Sequence, residues 1–291
     1  MKIVLFSRKS VTLRLEDIDE IFAAIARYSF DYTINSEFAE AVMQQTSHHI
    51  DDCRIYDGEV PVQSGKAVMV CYGGDGTLLE GVHRLAGADV PVVGINSGHL
   101  GFLALAPRSE ISAVFEAVAT NSLSLERRRM IAVEGVFDGH NATLCALNEV
   151  AVQRLGATMI AIEAEIDGQH VSTYCGDGII ISTPTGSTAY SLSAGGPVVA
   201  PACRCMVLTP LTPHNLTMRP IVVPDSVEVV LRVNTRGNTA SVSVDNRTCE
   251  IADGTVVCVK SAEKEVLLAV PHNISYFDTL RNKMMWGVDV R

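Results

Sequence analysis

The 291-residue chain has no apolar run near the roughly 18 residues that a membrane helix requires. Close to Met1 the longest apolar run is four residues, against the roughly 7 to 15 of a secretory signal. The expectation is a cytoplasmic protein that engages no membrane. Basic side chains are in deficit: 23 Lys and Arg stand against 33 Asp and Glu, a net charge of −10. A nucleic-acid partner is therefore not expected, because such binders need a basic footprint. A small polyanion is still admissible, since it needs only a local positive or backbone-lined pocket. None of the eight cysteines forms a Cys-x-x-Cys, and Cys203-Arg-Cys205 has no histidine at zinc-finger spacing. Familiar phosphate motifs are missing too. Between Gly58 and Gly65-Lys66 lie six residues where a Walker loop has four, and Ala67 stands where it needs Ser or Thr. No Gly-x-Gly-x-x-Gly follows a strand, and no Gly-x-Ser-x-Gly hydrolase elbow occurs.

What is present is a globular composition, 47% hydrophobic and 19% charged, in a chain long enough for about two domains. The first ~120 residues alternate buried strands with helical periodicity. Ile3–Phe6, Ala67–Tyr72 and Pro91–Ile95 read as strands. Ile18, Ile21, Phe22 and Ile25, then Phe38 to Gln45, Leu78 to Leu85, and Ile111 to Val118 read as helices. This alternation predicts an α/β, Rossmann-like domain with a parallel sheet. From about residue 125 the period becomes two. Val227, Val229, Leu231 and Val233 share one face, and Ala240, Val242 and Val244 another. Val256–Lys260 and Glu265–Val270 are expected to form a hairpin about Ser261–Lys264. The second half is thus expected to be a β-sandwich, with Ser275–Trp286 helical again. The domains expected are 1–122, with 272–291 returning to it, and 123–271.

The strongest chemical signal is Gly73-Gly74-Asp75-Gly76-Thr77, which follows a buried strand and opens a helix. Glycines let backbone approach a ligand, and a helix start favours phosphate. Asp75 is the exception, because a carboxylate there repels phosphate unless it binds a metal or accepts a proton. The plain alternative is an N-cap. A second glycine-rich strand end runs from Gly94 to Phe102. Asn148-Glu149 pairs a carboxamide with a carboxylate, able to read sugar hydroxyls and base edges or simply to face water at a strand end. From Gly176 to Pro197 a buried strand breaks at Pro184 and passes a hydroxyl-rich turn into a helix holding Ala189, Tyr190 and Leu192. Helix capping accounts for one or two of those hydroxyls, not six.

Together these segments resemble the NAD kinase family: Gly-Gly-Asp-Gly-Thr at 73–77, Asn-Ser-Gly-His-Leu-Gly-Phe at 96–102, Asn148-Glu149, and Asp177 through Pro197. Pro213-His214-Asn215-Leu216 and Val242-Ser243-Val244-Asp245 fit as well. The resemblance implies transfer of phosphate from ATP to NAD, giving ADP and NADP, with a divalent metal, Mg or Mn, that ATP carries and the protein does not hold. It implies Asp75 as the proton acceptor. Gly73, Gly74, Gly76 and Thr77 line the ATP phosphates. Asp75, Gly76, Phe102, Asn148, Glu149, Asp177, Thr188, Ala189, Tyr190, Ser191, Leu192 and Ser193 fall at NAD positions, with His214 and Asp245 as further positions. It also implies a homodimer or homotetramer in which a neighbour helps complete the NAD site. Gly-Gly-Asp-Gly is shared with lipid kinases of the diacylglycerol-kinase type, which are the enzymatic rival; a non-catalytic nucleotide-sensing module is the rival from another class. The triple Arg127-Arg128-Arg129 is expected to form a salt-bridged, solvated face.

Overall fold

The computed structural model describes residues 1–62, 65–98, 101–270 and 275–285. Its chain divides into two units, one of Met1–Arg127 joined by the segment from Val266 onward, the other of Arg128–Glu265. The first unit contains β1 (Lys2–Phe6), α1 (Leu15–Arg27), β2 (Asp31–Asn35), α2 (Ser36–Gln45), β3 (Ile55–Tyr56), β4 (Ala67–Tyr72), α3 (Asp75–Arg84), β5 (Val92–Asn96), β6 (Ala106–Pro107) and α4 (Ile111–Ala119). Its strands lie in the order β5-β4-β1-β2-β3, all parallel. Both faces of such a sheet are covered, which is why β1 and β4 read as unbroken apolar runs. Ile3, Leu5, Val68, Val70 and Tyr72 pack on one face with Ile18, Ile21, Phe38 and Phe115 of the surrounding helices. The Tyr72 phenol donates to the buried carboxylate of Asp17, 2.7 Å away, and ties α1 to the sheet. On the other face Met69 and Cys71 lie under Gly81 of α3.

The topology places a ligand site by itself. After β1 the chain steps to β2 on one side, and β4 pairs with β1 on the other. Open parallel sheets take ligands beyond the carboxyl ends of strands at such a reversal. Ser7 and Arg8 follow β1 there, and Gly73 to Gly76 follow β4.

Entering through β7 (Ser124–Phe137), the second unit adds β8 (His140–Ala146), β9 (Glu149–Arg154), β10 (Ile160–Ile166), β11 (Gln169–Gly176), β12 (Gly178–Ser182), a single-turn α5 (Tyr190–Ser193), β13 (Cys205–Leu211), β14 (Ile221–Pro224), β15 (Val229–Asn234), β16 (Ala240–Val244) and β17 (Arg247–Ile251). One antiparallel sheet runs β14-β13-β12-β9-β16-β17. A second antiparallel layer includes β11, β10 and β15. Val229, Leu231 and Val233 meet Ala240, Val242 and Val244 in one buried cluster, so the period-two pattern marks the inner faces of a sandwich. The fold class is α/β with an antiparallel β-sandwich second domain.

The hairpin expected at 256–270 does not exist. Val256–Val270 is one strand, β18, followed by α6 (Tyr276–Met284). Ser261-Ala262-Glu263-Lys264 offers none of the Gly, Pro, Asn or Asp that a tight turn uses. Instead β18 starts antiparallel to β15, with Val259 opposite Val229, and ends parallel to β5, with Leu268 opposite Val92. One strand thus leads the chain out of the second unit and back into the first. A Ser275–Asp278 capping box then starts α6. Trp286, and residues 272–274 and 287–291 of the segment expected to return, lie outside the described residues. Among the described residues no helix is long and apolar enough to cross a membrane. Nor is the arginine triple a solvated face throughout: Arg128 is 3% exposed, while Arg129 pairs with Asp225 and Glu265.

Candidate active site

Gly74 caps α3 and Asp75 is the first helical residue, with no side-chain bond to the helix start. Asp75 is therefore not an N-cap. Its carboxylate turns to the 101–104 segment and accepts three backbone N–H bonds. Oδ2 takes one from Phe102 at 2.8 Å; Oδ1 takes those of Leu103 at 3.0 Å and Ala104 at 2.9 Å. A carboxylate has about four lone-pair sites. Oδ1 has filled two, and Oδ2 keeps one. Oδ2 is thus the atom able to accept a proton, and the backbone clamp fixes where it points. Gly101 makes the clamp possible, because a Cβ there would strike the Asp75 carboxylate. Gly101→Ala is expected to lower kcat about tenfold with the fold intact, through displacement of this group; a kcat within twofold of wild type would show that the clamp is dispensable.

Two cations flank this loop. Arg8 donates from Nε to the Thr77 hydroxyl at 3.2 Å, and its terminal nitrogens lie over Gly76. The Ser7–Asn35 hydrogen-bond pair holds the backbone just before Arg8. Lys283 of α6 lies 3.9 Å from Asp75 Oδ2 and 4.8 Å above the centre of the Phe102 ring. Gly73, Gly74, Asp75, Gly76, Thr77 and Phe102 thus share one place at the sheet's reversal point. His99 and Leu100 of the second glycine-rich segment lie outside the described residues.

The second unit gathers another group. The turn after β16 aims the Asp245 carboxylate at the strand entry of β9, where it accepts from the N–H groups of Leu147 (2.9 Å), Asn148 (2.8 Å) and Glu149 (3.2 Å). The Asp245 N–H in turn donates to the Glu149 carbonyl. Asn148 is buried and Oε2 of Glu149 is buried with no hydrogen-bond partner, so the pair does not face water as a plain strand end would. Burial, then the neighbouring Asp245 charge, push the Glu149 carboxyl up to about 8, against a smaller downward pull from the Tyr190 N–H.

Opposite Glu149 in register stands Ser182, the end of β12. The hydroxyl-rich run beyond it is spent largely on itself. Thr183 donates to the Leu147 carbonyl at 2.6 Å, Ser187 to that of Pro184 at 2.7 Å and Thr188 to that of Thr185 at 3.3 Å. The fully buried Ser191 shares a hydrogen bond with Thr209. Local structure thus accounts for four hydroxyls, more than capping alone suggested. Gly186 packs so close to the Asn148 carbonyl that a side chain has no space. The expected helix through Ala189, Tyr190 and Leu192 is only a 3-10 turn followed by α5, which ends at Ser193. Tyr190 is exposed, its hydroxyl accepting from Gln153. Asp177 is bonded by Thr212 and ion-paired with Arg154, both of which hold its carboxyl below the usual range. His214 is exposed, its N–H donating to the Cys175 carbonyl.

Sequence reasoning located the loop and its carboxylate but missed the clamp and Lys283. Backbone donors leave no trace in residue identity, and Lys283 reaches Asp75 from the far end of the chain. Among the described residues no three His, Cys, Asp or Glu converge to hold a metal.

A family model described as the ATP-NAD kinase N-terminal domain matches residues 18–122, and one described as the ATP-NAD kinase C-terminal domain matches 147–270. A NAD kinase of Flavobacterium psychrophilum is 31% identical over 295 residues, covering 100% of both chains. The crystal structure of a yeast NADH kinase complexed with NADH superposes with a TM-score of 0.87 at 22% identity, over 100% of this chain and 89% of that one. An NAD kinase from Archaeoglobus fulgidus in complex with ATP gives 0.74 at 24% identity, over 98% and 99%. The structures establish the shared fold. With both domain models matched in order and a relative aligned end to end, the chain belongs to the NAD kinase family.

Proposed function

We infer that this protein is an NAD kinase that transfers the γ-phosphoryl group of ATP to the adenosine 2′-hydroxyl of NAD, giving NADP. The observation that most supports the reading is the Asp75 carboxylate, held by three N–H groups among glycines at the sheet's reversal point, in a chain whose halves both match NAD kinase models. Phosphoryl transfer asks the protein mainly for alignment and charge neutralisation. Asp75 Oδ2 orients the 2′-hydroxyl and accepts its proton as the new bond forms. A positioned base of this kind contributes roughly 10² to 10⁴ in rate. Gly73, Gly74, Gly76 and Thr77 present N–H and hydroxyl groups to the phosphates at the start of α3, with Arg8 beside them. The magnesium or manganese ion arrives as part of the ATP substrate.

On the dinucleotide side, Asn148 and Glu149 bind ribose hydroxyls, with Asp245 fixing the strand entry that presents them. Phe102, Thr188, Ala189, Tyr190, Leu192 and Ser193 supply the remaining contacts. Ser191, being buried, supports that surface from beneath. Asp177 serves the nicotinamide end, and His214 is a further contact. In this reading the enzyme works in the cytoplasm as a homodimer or homotetramer, and specific activity falls on dilution as a neighbour's contribution to the NAD site is lost. Light scattering alongside the assay checks this, and a fully active 31.3 kDa monomer would refute it. No observation favours a lipid kinase or a sensing module. The deciding experiment incubates purified protein with NAD, ATP and Mg²⁺ and measures NADP. Folded protein that makes none overturns the assignment.

A further inference from the structure

We propose that Lys283 is a catalytic residue whose ammonium neutralises Asp75 at rest and the transferring phosphoryl group during reaction. The inference rests on the kinase reading above. Three observations converge on it. Of the two Asp75 oxygens, Lys283 faces Oδ2, at 3.9 Å, the one with acceptor capacity left. Its ammonium lies 4.8 Å over the Phe102 ring, next to the N–H that clamps that same oxygen. Its side chain is 37% exposed, on a flexible four-carbon stem that can redirect its charge.

The reaction supplies the reason. The O2′–P bond forms while the bond from γ phosphorus to the bridging oxygen breaks, its electron pair leaving with ADP. The 2′-hydroxyl proton passes to Oδ2. A base within roughly 3 Å of the nucleophile, and a nucleophile roughly 3 to 3.5 Å from phosphorus, put the phosphoryl group about 6 Å from Oδ2. That is within a lysine's swing. As Oδ2 gains the proton it loses its charge, and the negative charge at the reacting centre shifts onto the phosphoryl oxygens. A cation within reach of both follows the charge, which favours the transition state over the ground state. Arg8 serves from the Gly76 side of the loop and Lys283 from the Asp75 side. An exposed ion pair of this length adds little stability, so stability does not explain the arrangement.

The test compares wild type with Lys283→Met, which keeps the stem against Phe102, and Lys283→Arg, which keeps the charge. The methionine variant should melt as wild type does and bind NAD within twofold, with kcat about tenfold lower. The arginine variant should recover most of that loss. In an Asp75→Asn background, Lys283→Met should slow the residual rate further, by a similar factor. Binding of ADP with aluminium fluoride, which mimics the transferring group, should weaken about tenfold while ADP alone binds as before. A methionine variant with wild-type kcat and unchanged fluoroaluminate binding overturns the proposal. So does a double variant no slower than Asp75→Asn alone, which would reduce Lys283 to a positioning residue for Asp75. A wild-type protein that makes no NADP refutes the proposed function alone, since the fluoroaluminate comparison still judges Lys283.

Discussion

Asp75→Asn is expected to turn over NAD at least about 10²-fold more slowly than wild type while still binding it. The argument is atomic. Leu103 and Ala104 both donate to Oδ1, so the amide carbonyl takes that place and its NH₂ group falls at Oδ2. There it meets the Phe102 N–H and the Lys283 ammonium, donor against donor. The one site able to take the hydroxyl proton is filled by a donor that cannot. The rate loss matches the contribution of a positioned general base. A modest stability loss, about 1 to 3 kcal/mol, accompanies the unmade hydrogen bond. The NAD contacts proposed for the second unit are untouched, so calorimetry should find NAD affinity near wild type. Near-normal kcat in this variant would remove Asp75 from the role of base.

Much of this site can be read from residue types, and the unread part has a physical cause. A carboxylate set among glycines between an apolar strand and a helix is unusual enough to single out Asp75. The buried runs of β1 and β4 and the period-two runs of β15 and β16 likewise follow from which faces meet water. What pattern does not encode is pairing. β18 reads as two short strands because Ser261–Lys264 is polar and partly exposed, yet its two ends answer to different neighbours, β15 and β5. The Asp75 clamp consists of N–H groups that every non-proline residue owns, so nothing in Phe102, Leu103 or Ala104 announces it. The hydroxyls of 183–191 show the converse: residues rich in chemical potential are used to fold a tight segment, and composition alone overstates their availability to a ligand.

Glu149 yields the second large effect, and it depends on pH. In the free protein burial and Asp245 push its carboxyl up to about 8, so at neutral pH it is mostly protonated. Ribose hydroxyls donate to a carboxylate, and bonds to the charged form favour that form. NAD binding should therefore expel a proton, and affinity should rise with pH until about 8 is passed. If only the ionised form binds, affinity at pH 9 exceeds that at pH 6.5 by about thirtyfold. Calorimetry in two buffers of different ionisation enthalpy would register the released proton. Glu149→Gln should bind NAD weakly, with no dependence on pH over this range. Stability moves in the opposite direction. A carboxyl whose folded value is raised from 4.5 to about 8 contributes stability fully present below 4.5, which is lost as pH rises through about 8, because only the unfolded chain ionises freely in that window. Glu149→Gln abolishes this titration and retains a neutral group beside Asp245. The variant should melt close to wild type near pH 5 and above it at pH 9. A wild-type NAD affinity that stays flat between pH 6.5 and 9 would show that Glu149 does not hold the dinucleotide through its ionised carboxylate.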